Sequence, residues 1–225
     1  MTVDRGKCFI QNDFFRSSRF PVEKFVSERL KIGSTACDVL EEIVALHPLI
    51  NAVNLIFYIP HLNSTDGVFA ENRNVWLPRK LINRNNLKEI SEANFKASNK
   101  EIMMAVSSEV MLEGRNFAHV PMIDFSCDIN LEEIVPKVNS IPGVILKSGE
   151  SFHYWGTSLV TRESWADMVD IRLRAEDSRK AHHQGVIYDS GFFEASLERN
   201  YSALRLFGYA GTNKETEPSA VALIK

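Results

Sequence analysis

Three short stretches of the sequence carry side chains of the types that hold cations and phosphate groups: residues 122–126, 147–153 and 187–214. Asp124 ends an apolar run in the first stretch, and His153 follows a turn of small residues in the second. The third contains Asp189, Arg205 and Lys214. Carboxylate oxygens are preferred ligands of Mg²⁺, and arginine and lysine are the usual phosphate-binding cations. Together, such side chains could bind a divalent cation and a phosphate group.

The elements that carry these residues are most regular in the second half of the chain. Apolar, β-rich runs predict strands at about 102–112, 117–125, 143–147, 151–156 and 201–207, and helical spacing predicts helices at about 130–139, 162–174 and 190–199. Residues 113–116 are typical of a hairpin turn, and the polar segment 175–187 is interpreted as a mobile loop. The order of elements predicts an α+β fold with an antiparallel or mixed sheet backed by helices.

The first hundred residues predict an N-terminal α/β module or extension packed on a core formed by residues 101–225. A helix is expected at about 35–47, where Thr35 and Asp38 form a capping box. The apolar run 52–59 predicts a buried strand that ends before Pro60. Residues 60–100 are rich in Asn, Ser, Lys and Glu, with a short helix near 86–95.

Composition narrows the function classes. With 225 residues, 44% of them hydrophobic and 24% charged, the chain resembles an ordinary folded protein, and its net charge of −3 argues against coating nucleic acid through bulk charge. Three widely spaced cysteines without a Cys-x-x-Cys pair argue against a zinc knuckle and fit a reducing compartment. With no apolar leader or membrane-length apolar run in the sequence, we expect a cytoplasmic protein without a membrane partner. Walker, Rossmann and hydrolase-elbow motifs are absent.

The order of the three stretches resembles the archaeo-eukaryotic primase (primase-polymerase) superfamily over roughly residues 102–214. That superfamily has a strand with an Asp-x-Asp pair, then a hairpin often written Ser-Gly-x-x-x-His, then a hydrophobic residue followed by Asp. Asp124 matches the first carboxylate, Ser148 and His153 the hairpin, and Asp189 the later carboxylate. Arg205 and Lys214 match later basic positions more loosely.

The resemblance implies a primase-like fold with an RRM-like core and a nucleotidyltransferase that uses Mg²⁺ or Mn²⁺. Asp124, His153 and Asp189 would be the catalytic residues, with Asp124 and Asp189 also holding the metal. The nucleotide-binding residues would be Ser148, Gly149, Ser151, His153, Arg205 and Lys214. The substrates would be a nucleoside triphosphate and DNA or RNA, and the chain would work with protein partners.

One position departs from the family pattern. Ser126 stands where the family has its second acidic residue, roughly 6.6 Å along the strand from Asp124. Asp128 would lie roughly 13 Å away on an extended strand and could help only if the chain turns after Phe125. Because a serine hydroxyl is a weak neutral ligand, we expect reduced metal affinity. The alternative is a non-catalytic nucleotide- or nucleic-acid-binding module derived from a primase fold.

Each candidate residue also has a structural interpretation. Asp124 could simply end a strand, and His153, between Phe152 and Tyr154, could be a core histidine. Asp189 could cap a helix, and Arg205 could face solvent. An interaction protein unrelated to primases therefore stays open until the relative positions of Asp124, His153 and Asp189 are known.

Overall fold

The structure, a computed structural model, describes residues 28–59, 70–98, 102–138, 142–182, 184–210 and 214–225. Within these ranges the chain forms five α-helices and nine β-strands, and the strands make two sheets. Strand pairs within both sheets are antiparallel. The predicted α+β class is confirmed, with the strands divided between two sheets instead of one.

The helices are α1 (Ala36–Leu46), α2 (Arg84–Ala97), α3 (Leu131–Val138), α4 (Arg162–Ala181) and α5 (Ser190–Arg199). The strands are β1 (Ile50–Ile59), β2 (Ala70–Pro78), β3 (Met103–Leu112), β4 (Phe117–His119), β5 (Met122–Asp124), β6 (Gly143–Ser148), β7 (Ser151–Gly156), β8 (Ala203–Arg205) and β9 (Ser219–Ile224). Two short 3-10 helices occupy Arg79–Leu81 and Glu113–Arg115.

The first sheet has the order β2-β1-β3-β4, and β8 also pairs with β3. Strands β8 and β4 lie end to end along one edge of β3, because β8 pairs with residues 105–107 and β4 with residues 109–111. Strands β1 and β2 come from the predicted N-terminal module, yet they share this sheet with β3. The sheet therefore joins sequence on both sides of residue 100.

The second sheet has the order β5-β7-β6-β9 and carries two of the three chemical stretches. Strands β6 and β7 form a hairpin whose turn is Gly149-Glu150, with Gly149 in the left-handed region at a φ of 66°. Strand β5 pairs with β7 on the other side from β6, and places Asp124 opposite His153. This register brings a carboxylate and an imidazole to adjacent positions on one sheet.

Side chains cap the first turns of α1 and α4. Thr35 and Asp38 form the predicted capping box of α1, with the Thr35 N–H donating to Asp38 Oδ2 at 2.7 Å. Thr161 caps α4 by accepting the Ser164 N–H at 3.2 Å. Both caps satisfy amide groups that have no partner inside the helix.

Several predicted elements differ from the structure. The predicted strand 117–125 is two strands in different sheets, because the extended run breaks at Val120-Pro121. The segment 175–187 is not wholly a loop, since α4 continues to Ala181 with Glu176 fully buried. Strands β2 and β9 were not predicted, and the predicted strand 201–207 is limited to Ala203–Arg205.

The buried core extends through both sheets and joins them to the helices. Its largest fully buried side chains include Trp155, Trp165 and Tyr154. No helix in the described ranges combines the length and the apolar character needed to cross a membrane.

Candidate functional site

Asp124 and His153 form the centre of the candidate site. They are directly paired residues on β5 and β7, and Asp124 Oδ1 lies 3.6 Å from His153 Nε2. This distance is too long for a hydrogen bond. Within the described part of the chain, Asp124 Oδ1 and His153 Nδ1 are both buried without a hydrogen-bond partner. Burying a polar atom without a hydrogen-bond partner lowers the stability of the fold, so these two atoms are suited to binding a ligand.

The electrostatic environment favours the neutral form of both groups. Burial raises the pKa of Asp124 well above its ordinary value, and neighbouring Asp189 raises it further against the opposing effect of Lys214 and Arg205. Burial, followed by the positive charges of Arg205 and Lys214, lowers the pKa of His153 to about 3. The pair is therefore not an ion pair at neutral pH, although its separation is within the range of one.

Asp189 lies next to Asp124 and also caps α5. Its carboxylate Oδ1 accepts the Phe192 N–H at 3.0 Å, and its own N–H donates to the Asp124 carbonyl oxygen at 3.2 Å. The helix-cap interpretation of Asp189 is thus correct, and it coexists with a position beside the first carboxylate. Two carboxyl groups are brought together at the ends of separate chain segments.

The β6–β7 turn forms a second wall of the site. Ser148 Oγ accepts a hydrogen bond from Arg205 Nη2 at 3.0 Å, and Ser151 Oγ donates to the Ser148 carbonyl at 3.3 Å. A Cβ atom added at Gly149 would meet no atom within 4 Å, so the backbone there faces open space. A ligand can therefore approach this turn closely.

Arg205 anchors the chain that carries Lys214. The Arg205 side chain is buried, which excludes the solvent-facing interpretation, and Nη1 donates to the carbonyls of Phe207, Lys214 and Thr216. A further bond joins the Tyr209 N–H to the Lys214 carbonyl at 2.8 Å. Arg205 thus contributes positive charge to the site while its donors are largely used to fix the adjoining backbone.

All eight residues predicted for the site line two adjoining cavities. The inner cavity has a volume of about 180 Å³ and is lined by seven of them, Asp124, Ser148, Ser151, His153, Asp189, Arg205 and Lys214. The outer groove has a volume of about 850 Å³, shares five of these residues and adds Gly149. The three stretches therefore meet at one place.

The inner cavity also contains residues that sequence reasoning missed. Ile56 and Tyr58 reach it from β1, and Phe192 and Arg199 reach it from α5. Burial is the main reason why the pKa of Tyr58 is raised, with Arg205 and Asp124 close enough to affect it. In the sequence, Tyr58 is a tyrosine inside the apolar run 52–59. Only the pairing of β1 with β3 shows that it reaches the site.

Ser126 lines the outer groove near Asp124, and its N–H donates to the Ile187 carbonyl at 3.0 Å. The chain turns at residues 127–128, but Asp128 does not line either cavity. Among the described residues no group of three or more His, Cys, Asp or Glu side chains could hold a metal ion. The donor set fits a Mg²⁺ or Mn²⁺ ion only if phosphate oxygens or water complete the coordination around Asp124 and Asp189.

The outer groove is predominantly acidic. Among the described residues that line it, Lys214 is opposed by the carboxylates of Glu150, Asp189 and Glu215, and Asp124 adds an acid whose neutral form is favoured. A phosphate anion entering alone would meet net repulsion, whereas a phosphate that carries a divalent cation would not. The charge pattern therefore favours a cation–phosphate complex over a bare anion.

Comparison with protein families gives one match. The archaeo-eukaryotic primase 1D-like family model matches residues 83–219, more than half of the 225-residue chain. The match includes both carboxylates, His153 and the β6–β7 turn, whereas β1 with Tyr58 lies outside it. No curated protein and no solved structure shows significant similarity to the chain.

Proposed function

This chain belongs to the archaeo-eukaryotic primase 1D-like family, and we propose that its two adjoining cavities bind a nucleoside triphosphate together with a divalent cation. The observation that carries this proposal is the convergence of Asp124, His153 and Asp189 from separate chain segments. Such convergence is not expected of an unrelated interaction protein.

The two carboxylates would hold the cation. Asp124 has a buried carboxylate oxygen, Oδ1, without a hydrogen-bond partner in the described residues. Asp189 lies beside Asp124, because the Asp189 N–H donates to the Asp124 carbonyl oxygen. A bound Mg²⁺ or Mn²⁺ would neutralise charge on the phosphates and orient them. The cation would then stabilise ionised Asp124 in addition to the positive charges of Lys214 and Arg205.

The remaining residues would bind the nucleotide. His153, neutral at physiological pH, would donate one ring N–H to a phosphate oxygen and leave the charge balance of the site unchanged. The open backbone at Gly149 would contact the phosphates, and Lys214 would supply a positive charge at the rim. The smaller inner cavity, with Ile56, Tyr58 and Phe192 among its lining residues, would take a less polar part of the ligand.

The corresponding reaction is nucleotidyl transfer to DNA or RNA. Asp124 and Asp189 would position the cation–triphosphate complex, and the buried location of His153 would hold the phosphates away from bulk water. Because Ser126 contributes no negative charge, we expect weaker cation binding and slower transfer than an Asp-x-Asp site would give.

A second candidate function is favoured by the same serine. With two carboxylates and no third ligand in the described residues, the chain would bind nucleotide or nucleic acid without catalysing transfer. The substitution Ser126→Asp separates the two: a gain in Mn²⁺ affinity together with DNA or RNA synthesis supports a weakened enzyme. Tighter Mn²⁺ binding without synthesis, or no change in either, supports the binding module.

The test of the proposal is calorimetric titration with each common ribo- and deoxyribonucleoside triphosphate in the presence of Mn²⁺. We expect micromolar binding by the parent protein and its loss in Asp124→Ala and His153→Ala. Asp128→Ala is the matched control, because Asp128 lies on the same segment but outside both cavities. Absence of binding by the folded parent, or equal loss in the control, would overturn the proposal.

A further inference from the structure

Glu176 is a fully buried carboxylate that lines neither described cavity of the candidate site. It lies on α4, in the part of the helix that extends beyond residue 174. Its Oε2 accepts two backbone hydrogen bonds, from the Ile187 N–H at 3.1 Å and the Tyr188 N–H at 2.9 Å. Bonds between a carboxylate and backbone N–H groups are among the stronger hydrogen bonds in proteins.

The two amides that Glu176 binds come directly before Asp189. On its other side this segment is bonded to the end of β5, through Ser126 N–H to the Ile187 carbonyl at 3.0 Å and Asp189 N–H to the Asp124 carbonyl at 3.2 Å. Residues 184–187 are not in a helix or strand. The segment from Ile187 to Asp189 is therefore hydrogen-bonded both to Glu176 and to the end of β5.

Burying a carboxylate carries a desolvation penalty, which reduces the net stability gained from its hydrogen bonds. Glu176 Oε1 has no hydrogen-bond partner in the described ranges, so its burial is only partly compensated by hydrogen bonds. Arg172 lies one turn earlier on α4, and its guanidinium is 6.0 Å from the centre of the Tyr188 ring. The two buried charged residues of α4, Arg172 and Glu176, thus both lie near Tyr188, in the segment that leads to Asp189.

We infer that Glu176 is a positioning residue that fixes Asp189 relative to Asp124, and this inference rests on the proposed function of that pair as cation ligands. Hydrogen bonds that support a metal ligand from behind are worth roughly 10–100-fold in metal affinity. Removing the Glu176 carboxylate should free the amides of Ile187 and Tyr188 and let the Asp189 carboxylate leave its position.

The experiment compares Glu176→Ala with Glu176→Gln, which keeps an oxygen that can accept both N–H groups. Glu176→Leu fills the vacated volume if the alanine variant does not fold. The control is Val169→Ala, a fully buried residue two turns earlier on the same helix whose side chain makes no hydrogen bond. Two quantities are measured: the Kd for Mn²⁺ with the best-bound nucleoside triphosphate, and hydrogen exchange at the Ile187 and Tyr188 amides.

We expect Glu176→Ala to weaken Mn²⁺–nucleotide binding by about tenfold or more and to accelerate exchange at both amides. Glu176→Gln should stay within a few-fold of the parent, and Val169→Ala should lose stability without losing affinity. Unchanged affinity in folded Glu176→Ala, or an equal loss in Val169→Ala, would overturn the inference. If the parent binds neither nucleotide nor Mn²⁺, the proposed function fails, and unchanged exchange at the two amides would separately refute the contact with Glu176.

Discussion

Asp124 and His153 stand directly opposite each other on β5 and β7, with Oδ1 and Nε2 3.6 Å apart, and each carries a buried atom without a hydrogen-bond partner in the described residues. The two side chains do not form an ion pair, because burial disfavours the charged form of each one. The arrangement is stable in the neutral form and ready to bind an external cation and phosphate.

The first prediction concerns stability without a cation. A carboxyl group whose folded-state pKa is raised stabilises the fold below its unfolded pKa, and this contribution is lost as pH rises through the folded value. Asp124→Asn should therefore raise the free energy of unfolding near neutral pH, and this gain should shrink as the pH falls toward 4. Urea titrations between pH 4 and pH 8 measure this, with Asp128→Asn as the control. A destabilised Asn variant at neutral pH would contradict it.

The second prediction concerns the proton that cation binding displaces. Because the raised pKa of Asp124 favours the neutral acid, a cation must bind at the expense of a proton. Affinity for Mn²⁺ with nucleotide should rise with pH, and calorimetry in two buffers of different ionisation enthalpy should detect proton release. The Asp124→Asn variant should release no proton on whatever binding remains. Proton release that persists in this variant would assign the effect to another group.

The third prediction concerns His153. Its pKa lies at about 3 in the folded protein against an ordinary value of 6.5, so its imidazole should remain neutral between pH 5 and pH 8. A depressed histidine pKa gives stability that is present above the unfolded value and lost as pH falls from about 6.5 toward about 3. NMR titration of the ring signals should show no step near pH 6.5 in the folded state and such a step in urea. A folded-state step near pH 6.5 would refute the buried environment.

The fourth prediction separates the two basic residues. Arg205→Lys removes the fork that binds the carbonyls around Lys214, so it should cost about 1–3 kcal/mol of unfolding free energy as well as affinity. Lys214→Ala, at an exposed position, should change stability by less than about 0.5 kcal/mol while weakening nucleotide binding. Thermal denaturation and calorimetry on both variants test this. Equal effects on stability would show that Arg205 does not anchor this backbone.

The sequence predicted what depends on local interactions. The capping box at Thr35 and Asp38 and the hairpin turn before His153 each lie within a few residues, so short patterns identify them. The resemblance to the family motif predicted that Asp124, His153 and Asp189 lie in one site. The spacing of these residues in the sequence does not predict this, because they lie on separate elements.

The parts that were missed depend on distant pairing. The extension of α4 is polar in sequence, and only the tertiary contact of Glu176 with residues 187 and 188 explains its burial. Tyr58 enters the cavity because β1 pairs with β3, and Asn- and Arg-containing β2 is a strand because it pairs with β1. Such contacts override local propensity.

The central claim is that one cation–nucleotide complex lies between Asp124, the Gly149 turn and Asp189. Paramagnetic broadening of assigned backbone amide signals by Mn²⁺ with a nucleoside triphosphate tests this location most directly. We predict the strongest broadening at residues 124, 149 and 189, and weaker broadening at residue 32, an exposed position that does not line either cavity. Broadening centred elsewhere, or its persistence at residues 124 and 189 in Asp124→Asn, would contradict the proposed site.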